Sequence, residues 1–311
     1  MDRYELAWRP SPERAEASNT AAFMRAHQIE TVDELGKRSA HDPEWFWEAV
    51  VEFLGLPFDR PWRAVRDTSR GHPWATWFVG GMFNMSRACV DRWADDDPDR
   101  IALRSQKESG EIRTLTFGQL RKEVSQLAGA LQSLGVGRGD AVAAYLPMGQ
   151  EAVVSLLAVA RLGAVFIPVF SGYGPEAVAS RLEDPRPKVL VCANGFDRRG
   201  KLVEMKEVAD QAALAAGGVD HLLVVDYAPR DATPMTNGRD QWWHDIVPFA
   251  APLEPVPTGT EDPVLLAYTS GTTGRPKGAV HVHAGLTVKL AAEGAFHAEV
   301  NRDDVLMWAT D

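Results

Sequence analysis

The sequence has few cysteines and no long apolar run, and each absence argues against a class of protein. Only two of its 311 residues are cysteine, Cys89 and Cys192, and they do not form a CxxC pair. A disulfide scaffold or a cysteine zinc site is therefore disfavoured, and both residues are expected to be small buried side chains. The longest apolar run, residues 152–160, is interrupted by Ser155 and falls far short of the roughly 18 residues that span a bilayer.

Basic charge is scarce as well. The chain has 33 lysines and arginines against 43 acidic residues, so its net charge is −10. This balance leaves no basic face for a nucleic acid or an anionic membrane, and an anionic ligand would need a locally built site. The first thirty residues contain no apolar signal core. We therefore expect a cytoplasmic protein, whose oligomeric state the composition does not assign.

Residues 1–95 are predicted to form a helical N-terminal extension. Thr31 and Glu34 have the spacing of a capping box. In this motif the hydroxyl accepts from the backbone N–H of the glutamate, and the carboxylate accepts from the backbone N–H of the threonine. Asp42-Pro43 opens a second helix that ends at Gly55, with an acidic cap and proline in the first turn. The segment is rich in tryptophan, which we interpret as anchoring it to a larger body: Trp8, Trp45, Trp47, Trp62, Trp74 and Trp77.

Residues 96–311 are predicted to form an α/β domain. A hairpin joins Ile101–Ser105 to Ile112–Phe117, and Thr116 with Gln119 then caps a helix that ends at Gly135. Apolar strands follow near residues 141–146, 164–169, 188–192 and 221–225, with helices near 150–161, 175–183 and 202–215. This alternation indicates right-handed βαβ units and a mainly parallel sheet.

Residues 227–263 contain seven of the chain's 20 prolines. Proline fixes φ and removes a donor, so this segment is expected to be a crossing connection rather than part of the core. It leads to one more apolar strand, Val264–Tyr268.

A glycine- and hydroxyl-rich loop follows that strand. Within ten residues it has three glycines, four hydroxyls and two cations: Thr269, Ser270, Gly271, Thr272, Thr273, Gly274, Arg275, Lys277 and Gly278. Glycines let backbone N–H groups turn inward, hydroxyls add short donors and lysine adds a full charge, which together suit a polyphosphate. Pro276 and Gly278 break the Walker pattern, and no GxGxxG is present.

The segment Tyr268-Thr-Ser-Gly-Thr-Thr-Gly-Arg-Pro-Lys-Gly278 closely resembles the phosphate loop of the adenylate-forming superfamily, which includes acyl-CoA synthetases, luciferases and peptide-synthetase adenylation domains. Further segments resemble the acetyl-CoA-synthetase-like branch: Trp77-Phe-Val-Gly-Gly81, Asn84–Arg92, Arg161-Leu-Gly-Ala-Val165, Phe170–Val178 and Asp303-Asp-Val-Leu306. The resemblance covers most of residues 20–311. It implies that ATP activates a carboxylic acid, by default a short-chain one, to an acyl-adenylate with release of pyrophosphate, and that CoA then takes the acyl group.

The resemblance also implies residue roles. Thr269, Ser270, Gly271, Thr272, Thr273, Gly274 and Lys277 would hold the ATP phosphates, with Thr272 and Lys277 acting in catalysis. Mg²⁺ is expected to arrive with ATP, although no metal ligand is assignable. The turn at Ser171 and Gly172 would contact the CoA nucleotide, and the basic stretch Arg198, Arg199, Gly200 and Lys201 would meet its phosphates. A solvated loop is the alternative for that stretch. His281 and His283 have no acidic or cysteine partner at a suitable spacing for a metal.

The family usually continues with an acyl pocket, adenine and ribose motifs and a C-terminal lid that carries a lysine, and none of these is located in this sequence. We therefore expect the N-terminal part of a longer acyl-CoA synthetase, inactive by itself. Two alternatives stay open. One is a catalytically silent nucleotide- or CoA-binding module. The other is an adenylation domain that serves a carrier protein, which the long N-terminal segment and the turn at 170–178 disfavour.

Overall fold

The structure is a computed structural model that describes residues 8–269 and 276–307. In these ranges the strands are β1 (Ala64–Asp67), β2 (Thr76–Val79), β3 (Ile101–Gln106), β4 (Ile112–Thr116), β5 (Ala141–Tyr145), β6 (Val165–Val169), β7 (Val189–Ala193), β8 (Gly195–Arg198), β9 (Lys201–Glu204), β10 (His221–Val225), β11 (Asp240–Trp242), β12 (Pro263–Thr269) and β13 (Lys277–Val282).

The helices in the same ranges are α1 (Pro12–Glu16), α2 (Asn19–Ala26), α3 (Val32–His41), α4 (Pro43–Phe53), α5 (Arg92–Asp96), α6 (Phe117–Ser133), α7 (Gln150–Leu162), α8 (Pro175–Leu182), α9 (Lys206–Ala215), α10 (Trp243–Ile246) and α11 (His283–Phe296). A π-helical turn precedes α5, and short 3₁₀ turns complete the pattern: Arg87–Asp91, His72–Trp74, Arg230–Ala232 and Val247–Phe249.

A seven-stranded sheet organises the α/β part, in the order β11-β10-β7-β5-β6-β12-β13. Every neighbouring pair is parallel except β12 with β13. The interior strand β7 is buried along its whole length, as expected for a parallel strand covered by helices on both faces. The α/β fold class with a mainly parallel sheet is confirmed.

Local capping explains where several helices begin. The predicted box of α6 is complete, because Thr116 Oγ1 accepts from Gln119 N while Gln119 Oε1 accepts from Thr116 N. Asp42 caps α4 through Trp45 N at 3.0 Å. At α3 only half of the predicted box is formed: Thr31 Oγ1 accepts from Glu34 N, but the Glu34 carboxylate accepts from Glu30 N. The carboxylate therefore satisfies the residue before the cap.

Two segments differ from the sequence-based expectation. The helix predicted over 202–215 begins only at Lys206, because residues 201–204 pair with β8 as an antiparallel hairpin. The proline-rich segment 227–263 is more than a connection, since it adds the edge strand β11 to the sheet and buries Trp243 in the core. Ion pairs fasten this short strand: the buried Asp240 carboxylate lies 2.8 Å from Lys206 Nζ.

The N-terminal residues share a hydrophobic core with α11. Phe23, Val50 and Phe83 pack there with Ala284 and Val288. The segment is not purely helical as predicted, because β1 and β2 form an antiparallel hairpin. Four of the six early tryptophans pack against this core or its rings, whereas Trp8 and Trp74 are each 66% exposed. The predicted anchoring role therefore holds for four of the six early tryptophans. How the chain divides into domains stays a prediction.

Candidate functional site

Three connections leave the sheet at the carboxyl ends of neighbouring or nearby strands. One is the turn after β6, one is the hairpin β8–β9 after β7, and one is the glycine-rich segment after β12. β6 and β12 are adjacent and parallel, with Leu265 opposite Phe166. In open parallel sheets, ligands bind outside the carboxyl ends of the strands. The candidate site therefore lies along this edge.

The turn after β6 is held from below by Tyr145 at the end of β5. The buried Tyr145 hydroxyl donates to Tyr173 O at 2.8 Å and to Ser171 O at 3.3 Å. Burial raises the pKa of Tyr145 to about 12, so the hydroxyl stays a donor at neutral pH. Phe170 and Tyr173 pack edge to face with ring centroids 5.2 Å apart. The turn is thus fixed by one buried donor and two rings.

Gly172 has no space for a side chain. A Cβ built there would lie 2.5 Å from Phe170 Cε1 and 3.3 Å from Arg198 Nη1. Any larger residue would have to displace a ring or the guanidinium. The same measurement places Arg198 directly against the turn. The structure therefore brings together two of the residues that the sequence predicted to contact CoA.

The predicted basic stretch is the tip of a β-hairpin. Arg198 pairs with Lys201, and between them Arg199 and Gly200 have φ values of +53° and +70°. Positive φ at both central residues is the geometry of a type I′ turn, in which glycine is favoured. Arg199, Gly200 and Lys201 are exposed, whereas Arg198 is half-buried beside the turn. The four residues lie close in space at this edge of the sheet.

On the phosphate side the structure describes the two ends of the loop. Thr269 ends β12 and pairs with Lys277, which begins the antiparallel strand β13. Thr269 Oγ1 donates to Lys277 O at 3.4 Å, and the Lys277 side chain is exposed. Ser270, Gly271, Thr272, Thr273 and Gly274 lie outside the described residues, so their predicted roles stay predictions.

Tyr268, next to the loop, has its hydroxyl 2.9 Å from the Asp184 carboxylate, to which it donates. Burial, together with that carboxylate, raises the pKa of Tyr268 to about 12. This contact ties the carboxyl end of β12 to the segment after α8, and α8 itself starts shortly after the turn at Ser171 and Gly172. The two sides of the site are therefore joined through α8.

Two buried polar residues of this edge were missed from the sequence, Tyr145 and Asn194. Each is the polar end of an apolar strand, which is the signal that could have found them. Arg181 was also missed. Its guanidinium lies 4.2 Å from the centroid of the Tyr173 ring and donates to the Tyr173 hydroxyl.

The two histidines of the His281-x-His283 pair have different surroundings. His283 is fully buried at the start of α11, where its Nδ1 accepts from Met85 N at 3.1 Å. Burial lowers the pKa of His283 to about 4, against the opposing effect of Asp262. Across residues 8–269 and 276–307, no group of three or more histidine, cysteine or acidic side chains could hold a metal ion. In those ranges no helix is long and apolar enough to cross a bilayer.

Relatives of known name support the same branch. Acetyl-coenzyme A synthetase 2 from Zygosaccharomyces bailii is 40% identical over 280 residues, which are 89% of this chain and 41% of the relative. The enzyme of the same name from Saccharomyces cerevisiae is 37% identical over 89% of this chain and 41% of its own length. The chain thus spans about two-fifths of the curated relatives it matches.

A solved structure has the same fold. Acetoacetyl-CoA synthetase from Streptomyces lividans superposes with a TM-score of 0.88 at 27% identity, over 95% of this chain and 46% of that chain. Two family profiles match in succession: the acetyl-coenzyme A synthetase N-terminus over residues 32–89 and the AMP-binding enzyme over residues 90–311. The chain belongs to the AMP-binding enzyme family, in its acetyl-CoA-synthetase-like branch.

Proposed function

We propose that this chain forms the ATP-phosphate and CoA side of an AMP-forming acyl-CoA synthetase. The observation that carries the proposal is the common edge of the sheet. The strand that leads into the glycine-rich loop, β12, is adjacent to β6, whose turn contacts the basic hairpin. Two anion-binding features side by side suit two substrates that both carry phosphates, ATP and CoA.

Adenylation is the first half-reaction. A carboxylate oxygen attacks the α-phosphorus of ATP, the bond from that phosphorus to the bridging oxygen breaks, and pyrophosphate leaves with more negative charge. Lys277 and the donors from Thr269 to Gly274, including the Thr272 hydroxyl and backbone, stabilise that charge. The pairing of Thr269 with Lys277 supports this, because it brings the two ends of the segment together with Lys277 at one of them.

Mg²⁺ is proposed to enter as part of the ATP complex. Bound to phosphate oxygens, it would offset the repulsion between the carboxylate and the triphosphate. We assign no metal ligand to the chain, and every residue role above acts on the phosphates themselves.

Thioester formation is the second half-reaction. The thiolate of CoA attacks the acyl carbon of the adenylate, and AMP leaves. Ser171 and Gly172 would contact the CoA nucleotide through the turn backbone, while Arg198, Arg199, Gly200 and Lys201 would meet its phosphates. The contact between Gly172 and Arg198 supports this division, because a nucleotide on the turn would have its phosphates beside the hairpin tip.

The acid is proposed to be short. The named relatives act on acetate and acetoacetate by their titles, and both are small carboxylates. We place the enzyme in the cytoplasm with its soluble substrates, and with no nucleic acid or membrane as partner. The match of residues 32–89 to the acetyl-coenzyme A synthetase N-terminus favours CoA over a carrier protein as acyl acceptor.

The test uses the complete product of the gene. Acid-dependent exchange of labelled pyrophosphate into ATP is measured across a series from formate to long-chain acids, followed by thioester formation with CoA. We expect exchange with a short acid and thioester only when CoA is present. Exchange without thioester would favour a carrier-protein partner, and the absence of exchange with every acid would favour a silent binding module.

A further inference from the structure

One buried residue, Asn194, holds the base of the hairpin β8–β9 through its side chain and its backbone. Asn194 follows β7 directly and is only 5% exposed. Its Nδ2 donates to Ala228 O at 2.8 Å and to Thr233 Oγ1 at 3.1 Å. Its Oδ1 accepts from Tyr227 N at 3.0 Å and from Ala228 N at 2.9 Å. The amide therefore ties the start of the hairpin to the segment after β10.

The backbone of the same residue holds the other leg. Asn194 N donates to Val225 O at 2.9 Å, and Asn194 O accepts from Met205 N at 3.1 Å. Met205 follows β9 directly, so one residue contacts the entry and the exit of the hairpin and the neighbouring segment. Both donors and the acceptor oxygen of the Asn194 side chain have partners. Any other orientation of this buried amide would leave a donor or an acceptor unpaired, so its orientation is fixed.

The fastened base determines where the tip lies. Four residue pairs, from Gly195 with Glu204 to Arg198 with Lys201, join the legs into one ladder. The turn that Arg198 contacts is held separately, by the Tyr145 hydroxyl. The distance between the Arg198 guanidinium and Gly172 therefore depends on two independent sets of hydrogen bonds. Tyr145 holds the turn, and Asn194 holds the hairpin.

We infer that Asn194 is a positioning residue for CoA: it fastens the hairpin base and so holds Arg198 against the turn at Gly172. The inference rests on the proposed function. Asn194 does not touch CoA, and its effect is transmitted through the hairpin. Contacts to phosphate depend steeply on distance, and a misplacement of about 1 Å can cost up to about 10²-fold. Among the described residues, the hydrogen bonds of Asn194 go to residues 205–206 and 225–233 and none goes to β12, so adenylation should not depend on it.

The experiment replaces Asn194 with alanine in the complete gene product. We expect the KM for CoA to rise about tenfold or more, with acid-dependent pyrophosphate exchange within about twofold of wild type. Hydrogen exchange of the backbone amides of residues 195–204 should become faster. A higher KM for CoA together with nearly unchanged pyrophosphate exchange is a result that a loss of stability alone would not produce.

Asn84→Ala is the matched control. Asn84 is fully buried, and its Nδ2 donates to Ala160 O at 3.0 Å and Val256 O at 2.9 Å, away from the hairpin. It should lose comparable stability while leaving the CoA KM and the hairpin amides unchanged. If Asn194→Ala fails to fold, Thr233→Val gives the milder test, because it removes one acceptor and should raise the CoA KM about threefold.

Three outcomes overturn the inference: an unchanged CoA KM in a folded Asn194 variant, an equal rise in Asn84→Ala, or hairpin amides that exchange as in wild type. Failure of the proposed function is a different result, since the wild-type protein would then form no thioester with any acid that supports exchange. In that case hydrogen exchange together with titration of 3′-phospho-ADP still decides whether Asn194 positions an anion-binding hairpin. Equal affinity in wild type and variant would reject it.

Discussion

The two sides of the site are held in different ways. On the CoA side, the turn and the hairpin are fastened by buried polar side chains, Tyr145 and Asn194, next to the fully buried strands of the sheet. On the phosphate side, the loop is closed by backbone pairing of β12 with the edge strand β13, and Lys277 is exposed. In the proposed function the CoA side therefore depends on preset geometry, whereas the phosphate side depends on the charge of Lys277 and on the donors predicted for the loop. Three of the predictions below test one side each, and the prediction for acid tests the fold that carries both.

The largest effect is expected on the phosphate side, from Lys277→Ala. In the proposed function its ammonium would make charge-assisted contacts to the ATP phosphates that strengthen as pyrophosphate leaves. We expect acid-dependent pyrophosphate exchange in the complete gene product to slow by roughly 10–10³-fold, at one tenfold step per 1.36 kcal/mol. Lys289→Ala is the control, since this exposed lysine lies on α11 and pairs with Glu293. A wild-type exchange rate in Lys277→Ala would show that the ammonium is not the phosphate clamp.

Acid should weaken the fold through His283, which directly follows β13 and whose Nδ1 accepts from Met85 N. Its pKa is about 4 in the folded protein against an ordinary 6.5, because burial disfavours the charged ring. The unfolded chain therefore binds more protons between these values, so the contribution is complete above pH 6.5 and is lost as pH falls toward 4. We expect the free energy of unfolding to fall by about 3 kcal/mol on this account.

Denaturant unfolding between pH 7 and pH 4 measures that loss. In His283→Asn the amide oxygen can replace Nδ1 as acceptor for Met85 N, and the acid slope should flatten. His297→Asn, at the exposed end of α11, should keep the wild-type slope. Equal slopes in wild type and His283→Asn would mean that His283 titrates normally.

Removal of the hairpin charges should damage only the CoA side. For Arg198→Ala, Arg199→Ala and Lys201→Ala combined, we expect the CoA KM to rise roughly 10–100-fold through lost charge-assisted contacts. Pyrophosphate exchange requires no CoA and should stay near wild type. Lys107→Ala is the matched control, because Lys107 lies by the tip of the β3–β4 hairpin. An unchanged KM for CoA would show that the basic stretch is a solvated loop and does not meet the CoA phosphates.

A smaller effect is expected from Gly172→Ala. The added methyl would meet the Phe170 ring at 2.5 Å and Arg198 Nη1 at 3.3 Å, so ring and guanidinium must shift. We expect the CoA KM to rise about tenfold, with exchange unaffected. Gly174→Ala is the control, because a Cβ there meets nothing within 4 Å. An equal CoA KM for the two variants would show that the close approach of Phe170 and Arg198 to Gly172 is not needed for CoA binding.

Much of the fold could be predicted because its signals are local. The capping box at Thr116, the apolar strands and the helix after Asp42 depend on residues within a few positions of each other. β11 was missed because three residues in a proline-rich segment have no period, and its ion pair with Lys206 comes from a distant segment. The β8–β9 hairpin was missed because the sequence pattern of the helix extends back to residue 202.

The site could be predicted in part for the same reason. The phosphate loop and the basic stretch are contiguous motifs, and the resemblance assigned them roles. The Asn194 side chain has its partners 33 to 39 residues away, and Tyr145 has its partners 26 and 28 residues away, so the local pattern marks each as a polar strand end but does not identify what it holds. Contacts between residues so far apart in the sequence can be located only when the register of the strands in the sheet is known.

The central claim is that the two sides serve separate half-reactions. It is tested most directly by thioester formation from pre-made acyl-adenylate, titrated with CoA, in Lys277→Ala and in the triple variant of Arg198, Arg199 and Lys201. The account predicts a wild-type CoA curve for Lys277→Ala and a curve shifted roughly 10–100-fold for the triple variant. Equal shifts in both variants, or a shift in Lys277→Ala alone, would contradict it.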